Sequence, residues 1–315
     1  MKKFKIIIYI MHILVLVLIT ILGIKIHKNT YIDCTILDTL PDGKGRKAIV
    51  VLLGGQSNAS GCSSDKYLQL NVTADKYAQY EAGYDNVYIN YYASDNNISR
   101  SFVKCAIKQG DTREHFGPEL GIAEKLNDEY PSELFFIIKC AWGGTNLYNQ
   151  WLSPSSSGKT GILYKKFIKF VNSSLAYLKN KNYDVRIEAM CWMQGESDSF
   201  HLKDAMNYKN NLNNFIEDIR KEFQKYSSND GIAFIDAYIA NNPMYWVNYQ
   251  IINESKKEIA DLKQNNVVID TIENGLTCGK EPYDNPDLAH YDSLSQIKLG
   301  NLFAKKIVDF IDKYE

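Results

Sequence analysis

Ala48-Ile-Val-Val-Leu-Leu-Gly-Gly-Gln-Ser-Asn-Ala-Ser-Gly61 is the stretch on which the fold turns. Its first six residues are apolar without alternation, the pattern of a strand buried on both faces. Gly54 and Gly55 end it. Further strands are expected at Asn86–Ala93, Leu134–Ile138, Val185–Met193, Ile232–Ile239 and Val267–Ile269. Helical periodicity fills the intervals. Gly117–Tyr130 puts Leu120, Ala123 and Leu126 on one face, and Ile162–Lys179 does the same with Phe167, Phe170, Val171, Leu175 and Leu178. Ala205–Phe223 and Leu294–Tyr314 carry similar stripes. Strand–loop–helix units in series predict an α/β fold, a mainly parallel sheet with helices on both faces. Ligands bind such sheets at the carboxyl ends of the strands, so the loops after the strands come first in a search for function.

Three of those loops stand out. In the first, Gln56, Ser57 and Asn58 follow the glycines directly. A serine there has its hydroxyl at the sheet edge and backbone N–H groups nearby that suit an oxyanion. The phosphate-binding patterns G-x-x-x-x-G-K-[ST] and G-x-G-x-x-G are absent, and Ala59 breaks the G-x-S-x-G elbow. The second loop, Cys140 to Asn146, contains Gly143, Gly144 and Thr145, and a glycine pair lets backbone approach a substrate. The third, Trp192 to Asp198, sets Gln194, Glu196 and Asp198 side by side at a strand end, a combination that packing alone does not explain.

A serine nucleophile needs a base. His115, His201 and His290 lie outside the N-terminal run and are all candidates. His201 sits in a polar stretch that opens a helix and reads as a surface residue. His115 begins a turn into a helix and could line a pocket. His290 follows Asp287 by three residues, close enough for the carboxylate to fold back and fix the ring.

Taken together, the Gly-Gln-Ser57-Asn, Gly143-Gly144-Thr145, Trp192-Met-Gln194-Gly-Glu196-Ser-Asp198 and Asp287-x-x-His290 blocks resemble the SGNH-type hydrolases. More narrowly, they are similar to the sialate O-acetylesterase-like group that includes carbohydrate esterase family 6, over roughly residues 48–305. The resemblance implies a flavodoxin-like three-layer α/β/α sandwich and a serine esterase acting on acetyl esters of sugars, with no metal or organic cofactor. It implies Ser57 as nucleophile, His290 as base and Asp287 as its orienting acid. It further implies an oxyanion hole of the Ser57 and Gly144 N–H groups and the Gln194 side chain. Gln56, Asn58, Gly143, Thr145, Glu196, Asp198 and His115 are then supporting or substrate-binding residues. Ala59 and Ser60 stand where a bulkier residue such as Met is common, which bears on the acyl pocket. Two tryptophans, Trp142 and Trp151, are candidates to stack on a sugar face. The rival readings are a lipid-directed esterase or thioesterase on the same fold, and a non-catalytic glycan-binding protein.

The chain has 315 residues and a formal net charge of −1. Residues 1–30 hold five lysines and no acid, which leaves 31 basic against 37 acidic residues, a net −6, for the remaining 285. That balance argues against a nucleic-acid partner. Ile6–Ile24 is apolar apart from His12 and Thr20, and nineteen residues at 1.5 Å give about 28 Å, close to a bilayer's hydrocarbon thickness. No small-x-small cleavage site follows, so a membrane anchor with an extracytoplasmic catalytic domain is favoured over a cleaved signal peptide and secretion. The expected organisation is an anchor or signal segment at 1–28, a connector at 29–45 and one esterase domain at 46–315. The six cysteines include no C-x-x-C pair and suit either disulfides or buried thiols.

Overall fold

The structure, a computed structural model, describes residues 32–227 and 231–314. From Cys34 onward they form one compact unit. The strands are β1 (Lys47–Gly55), β2 (Ser63–Ser64), β3 (Val87–Ser94), β4 (Asn97–Ile98), β5 (Val103–Lys104), β6 (His115–Phe116), β7 (Phe135–Ala141), β8 (Asp184–Met193), β9 (Ala233–Ala237) and β10 (Asn266–Ile269). The α-helices are α1 (Ser57–Ser60), α2 (Asp65–Asn71), α3 (Ala74–Ala82), α4 (Glu119–Glu129), α5 (Ile162–Asn180), α6 (Leu202–Glu222), α7 (Tyr249–Ala260) and α8 (Ser293–Tyr314).

The main sheet runs β10-β9-β8-β1-β7-β3-β4, with β5 also paired to β3. From β10 to β3 every pairing is parallel; β4 and β5 join antiparallel at the β3 edge. After β1 the chain goes first to β3 and β7 on one side, then crosses to β8 on the other. β1 is thus the point where strand order reverses, and its carboxyl end is where such a sheet binds ligands.

Side-chain alternation explains how both faces are covered. Lys139 of β7 pairs with Glu119 of α4, and Phe136, on the opposite face, stacks on Tyr88 and meets the Phe102 edge. Phe102 in turn stacks on Tyr177 of α5. Asn90 of β3 donates to Ser174 of α5 at 2.9 Å. Helices therefore pack on both faces, as the strand–helix order predicts. Eight of the nine β1 residues are buried and all seven of β7 are. At about 25 cal/mol per Å² of apolar surface, such doubly covered strands contribute substantially to the core.

Several boundaries move. β7 extends to Ala141, beyond the expected Ile138, because Lys139 keeps its charge neutralised inside the protein: Glu119 lies 2.7 Å away and both side chains are fully buried. The expected 29–45 connector is docked at several points. Leu37 N–H donates to Arg100 O, Thr39 Oγ1 donates to Phe102 O, and Leu40 is buried. All six cysteines are free thiols, with Cys105, Cys140 and Cys191 buried. The proposed anchor at 6–24 lies outside the described residues, and among the described residues no helix is long and apolar enough to cross a membrane.

Candidate active site

The sheet register brings the three loops to one level. Gly55 pairs with Ala141 of β7 on one side and with Met193 of β8 on the other. Gln56, Trp142 and Gln194 therefore leave the sheet side by side. Gly55 has φ +139°, and a Cβ there would lie 2.0 Å from Met193 O. Only glycine permits this turn. It delivers Ser57 to the first position of α1, where the serine N–H is not used by the helix itself.

Ser57 is about nine-tenths buried. A Cβ placed on Gly143 would lie 3.6 Å from Ser57 Cβ, so the glycine pair borders the serine. Gly144 is exposed, with φ +67°. Of the residues expected to form an oxyanion hole, Ser57 and the glycine loop are brought together. The Gln194 side chain is turned inward. It is fully buried, and its Nε2 donates to Asp198 Oδ2 at 2.6 Å, Thr145 O at 3.1 Å and Gln56 Oε1 at 3.3 Å. Its Oε1 accepts from Tyr208 at 3.1 Å. In this arrangement the amide links the three loops to one another.

Asp198 is the brace of that arrangement. Its carboxylate accepts the N–H groups of Leu147 and Tyr148 at 2.8 and 3.0 Å, together with Gln194 Nε2. Burial pushes its pKa up to about 6, and these donors hold it back from rising further. Thr145 Oγ1 donates to Trp142 O and accepts from Trp151 Nε1. Trp151 is fully buried and packs edge-on against Trp192, which removes it from any sugar-stacking role. Trp142 is half-buried between Tyr92 and Trp151.

The fourth block arrives just before α8. His290 Nδ1 is 2.6 Å from Asp287 Oδ2, and Asp287 Oδ1 accepts the Ala289 N–H at 2.8 Å. Burial of the ring pushes the His290 pKa down. The Asp287 bond and charge, assisted by Glu196, outweigh it, and the net shift is upward. Burial likewise pushes Asp287 up, but the bond to His290, the Ala289 N–H and the His290 charge together hold it below the ordinary carboxylate value. The carboxylate in contact with this ring is that of Asp287, while Glu196 bonds Asn58.

Asn58 ties the two halves together. Its Oδ1 accepts the Tyr291 N–H at 3.1 Å, its Nδ2 donates to Glu196 Oε1 at 2.9 Å, and its carbonyl accepts Gln296 Nε2 at 2.7 Å. Ser63 Oγ donates to Tyr291 O at 2.7 Å. Glu196 thus supports the turn that carries Ser57. Burial raises its pKa, against the lowering effect of the Asn58 bond. Ser57 Oγ and His290 Nε2 are not hydrogen-bonded to each other. Catalytic bonds of this kind are often long before substrate binds.

A cavity of about 330 Å³ opens beside His290, lined by Cys62, Ser63, Tyr67, Asp111, His115, Glu281, Asp287 and Tyr291 among others. Ser57 does not line it; Tyr291, which does, is bonded to Asn58, the residue after Ser57. Sequence reasoning placed His115 at a pocket but missed its partner: Asp111 Oδ1 is 2.7 Å from His115 Nδ1. An acid four residues before a histidine was the available signal. Tyr208, Ser63 and Gln296 also support the site and had no signal of their own, since their roles depend on distant loops. His201 is exposed, as its polar surroundings suggest.

A family model described as carbohydrate esterase, sialic acid-specific acetylesterase matches residues 47–309 of this chain. A protein of Arabidopsis thaliana described as a probable carbohydrate esterase is 27% identical over 192 residues, which cover 60% of this chain and 62% of that protein. The match thus spans less than two thirds of that relative. The crystal structure of this Arabidopsis protein superimposes with a TM-score of 0.59 at 21% identity, covering 84% of this chain and 98% of that one. The crystal structure of NanS gives a TM-score of 0.63 at 15% identity, covering 87% of this chain and all of that one. At such identities the structural likeness speaks for the fold.

Proposed function

We propose that this chain, which belongs to the carbohydrate esterase family of sialic acid-specific acetylesterases, is an esterase that removes O-acetyl groups from a carbohydrate through an acyl-enzyme on Ser57. The observation that carries this reading is the Asp287–His290 contact of 2.6 Å, joined to the Ser57 turn by the Asn58–Tyr291 bond. On the same reading the domain has the flavodoxin-like SGNH hydrolase architecture.

The steps follow from the residues. His290 Nδ1–H is fixed on Asp287, which leaves Nε2 to take the Ser57 proton as Oγ attacks the acetyl carbonyl carbon. The carbonyl π-bond opens, and the negative charge on oxygen meets the Ser57 N–H and the N–H groups of the Gly143–Gly144 turn. Removing one such donor typically costs about 3–4 kcal/mol of transition-state stabilisation. His290 then protonates the departing sugar oxygen. Water adds to the acetyl-serine with His290 again as base, and acetate leaves. Gln194 and Asp198 hold the loops in place for these steps.

The cavity of about 330 Å³ lies at the small end of ligand pockets, which favours a compact acetylated sugar over a long acyl chain. Attachment to a membrane, or secretion, through residues 6–24 remains part of the proposal and rests on the apolar run alone. Acetate release from a panel of O-acetylated polysaccharides and O-acetylated sialic acids tests the reading. We expect release from at least one of them by the wild type and none by Ser57→Ala. Hydrolysis of octanoyl esters in preference to all acetylated glycans would overturn it.

A further inference from the structure

The cavity contains a second histidine–carboxylate pair that the esterase mechanism does not use. His115 Nδ1 is 2.7 Å from Asp111 Oδ1, and both residues line the same cavity as Asp287 and His290. The pair is held firmly. Ser64 and His115 are partners in the β2–β6 ladder, whose other pair is Ser63 with Phe116. Ser63 is also the residue that donates to Tyr291 O, beside the candidate base. Asp111 N–H donates to Gly61 O at the end of the nucleophile helix, and Gly110 N–H to His115 O, both at 2.8 Å. Asn97 Nδ2 clamps the loop from behind through Gly110 O at 2.7 Å and Thr112 O at 3.1 Å. Gly61 and Gly117 touch so closely that a Cβ on Gly61 would lie 2.5 Å from Gly117 N. His115 is therefore registered against the turn that carries Ser57 by the Asp111–Gly61 bond and the Gly61–Gly117 approach.

The far edge of the ring is uncommitted. Among the described residues no group bonds His115 Nε2, and the side chain is about one-third exposed. We propose that the Asp111–His115 pair is a substrate-positioning element, His115 Nε2 hydrogen-bonding a hydroxyl of the acetylated sugar while its ester lies at Ser57. The inference rests on the acetylesterase reading above. The partner's chemistry follows from the ring. With Nδ1 on Asp111, the neutral ring offers Nε2 as an acceptor and the protonated ring offers Nε2–H as a donor. A hydroxyl both gives and takes a hydrogen bond, so it satisfies either state. The groups facing the ring are acidic: the Asp111 bond is the main cause raising the His115 pKa, and the charges of Asp65 and Glu114 add to it. Because His290 already serves both proton transfers at the ester, the gain from the second pair lies in fixing which acetylated position meets the serine.

The test compares two substrates. One is a mono-O-acetylated monosaccharide with free neighbouring hydroxyls. The other is p-nitrophenyl acetate, which has the same acyl group and no sugar. For His115→Gln and Asp111→Asn we expect kcat/KM on the sugar acetate to fall roughly 10- to 100-fold, as loss of one charge-assisted hydrogen bond does. The change should be carried mainly in KM. On p-nitrophenyl acetate, which offers no sugar hydroxyl to His115, the loss in both variants should be at least about five-fold smaller than on the sugar acetate, and circular dichroism checks that they fold. Equal losses on the two substrates, or no loss on the sugar, would overturn the proposal. Failure of the wild type on both substrates would instead overturn the acetylesterase reading, so the two failures are distinguishable.

Discussion

Asn58 Oδ1 accepts the Tyr291 N–H at 3.1 Å, so the residue after the candidate nucleophile is bonded to the residue after the candidate base across 233 positions of sequence. The same side chain donates to buried Glu196. Asn58→Ala removes both bonds and leaves buried polar groups without partners, at about 1–3 kcal/mol each. We expect a lower Tm, and a loss of kcat larger than any change in KM on a small acetyl ester. Thermal melts and steady-state kinetics on the purified variant check this, and unchanged kcat would show that the tie is not needed.

Asp287→Asn keeps the side-chain shape and removes the charge that holds His290. In serine hydrolases with a triad the corresponding change costs up to about 10⁴ in kcat, and we expect a loss of roughly 10²–10⁴ here. Glu196→Gln should cost less, because Glu196 touches Asn58 and not the imidazole. If the Glu196 variant is inactive while folded and the Asp287 variant is nearly unimpaired, the triad assignment is wrong.

The pH profile gives an independent reading of the same contact. His290 must be neutral to accept the serine proton, and in the folded protein its pKa lies above the ordinary imidazole value through Asp287. Activity should therefore fall as pH drops through that raised pKa. Removing the Asp287 charge lowers the imidazole pKa, so the acid limb of kcat/KM in Asp287→Asn should move to lower pH even as the plateau falls. A limb that moves upward or stays in place would contradict the assignment.

Lys139 and Glu119 form a fully buried ion pair, and Lys139 also donates to Gln109 O while Glu119 accepts the Gly117 N–H. Lys139→Met leaves a buried carboxylate without its cation, a change that costs about 3–5 kcal/mol. Adding Glu119→Leu should recover much of that loss. Chemical denaturation of the single and double variants measures both.

The sequence was most legible where a pattern is local. The apolar runs of β1, β7 and β8 and the stripes of α4, α5, α6 and α8 place the main sheet and its largest helices. The Asp287-x-x-His290 spacing identifies a contact formed within one turn. What escaped depends on distant partners. Lys139 ended its strand in the sequence pattern because its buried counter-ion lies twenty residues earlier, in α4. Helices α2, α3 and α7 have short or weakly apolar stripes. The resemblance implies an oxyanion role for Gln194, whereas the partners its amide has in the structure, Asp198, Thr145 and Tyr208, are set by tertiary positions that no local pattern reveals. Trp151 was indistinguishable from a surface aromatic until its neighbours Trp192 and Phe167 were in place.

Acylation of Ser57 is the claim on which the rest depends. Rapid quenching during turnover of p-nitrophenyl acetate, followed by peptide mass spectrometry, detects the acetyl-serine directly. We predict one added acetyl group on the peptide containing Ser57 in the wild type, more of it in Asp287→Asn if deacylation slows further than acylation, and none in Ser57→Ala. Turnover by the wild type with no acetyl group on Ser57, or acetylation and turnover that persist in Ser57→Ala, would contradict the mechanism.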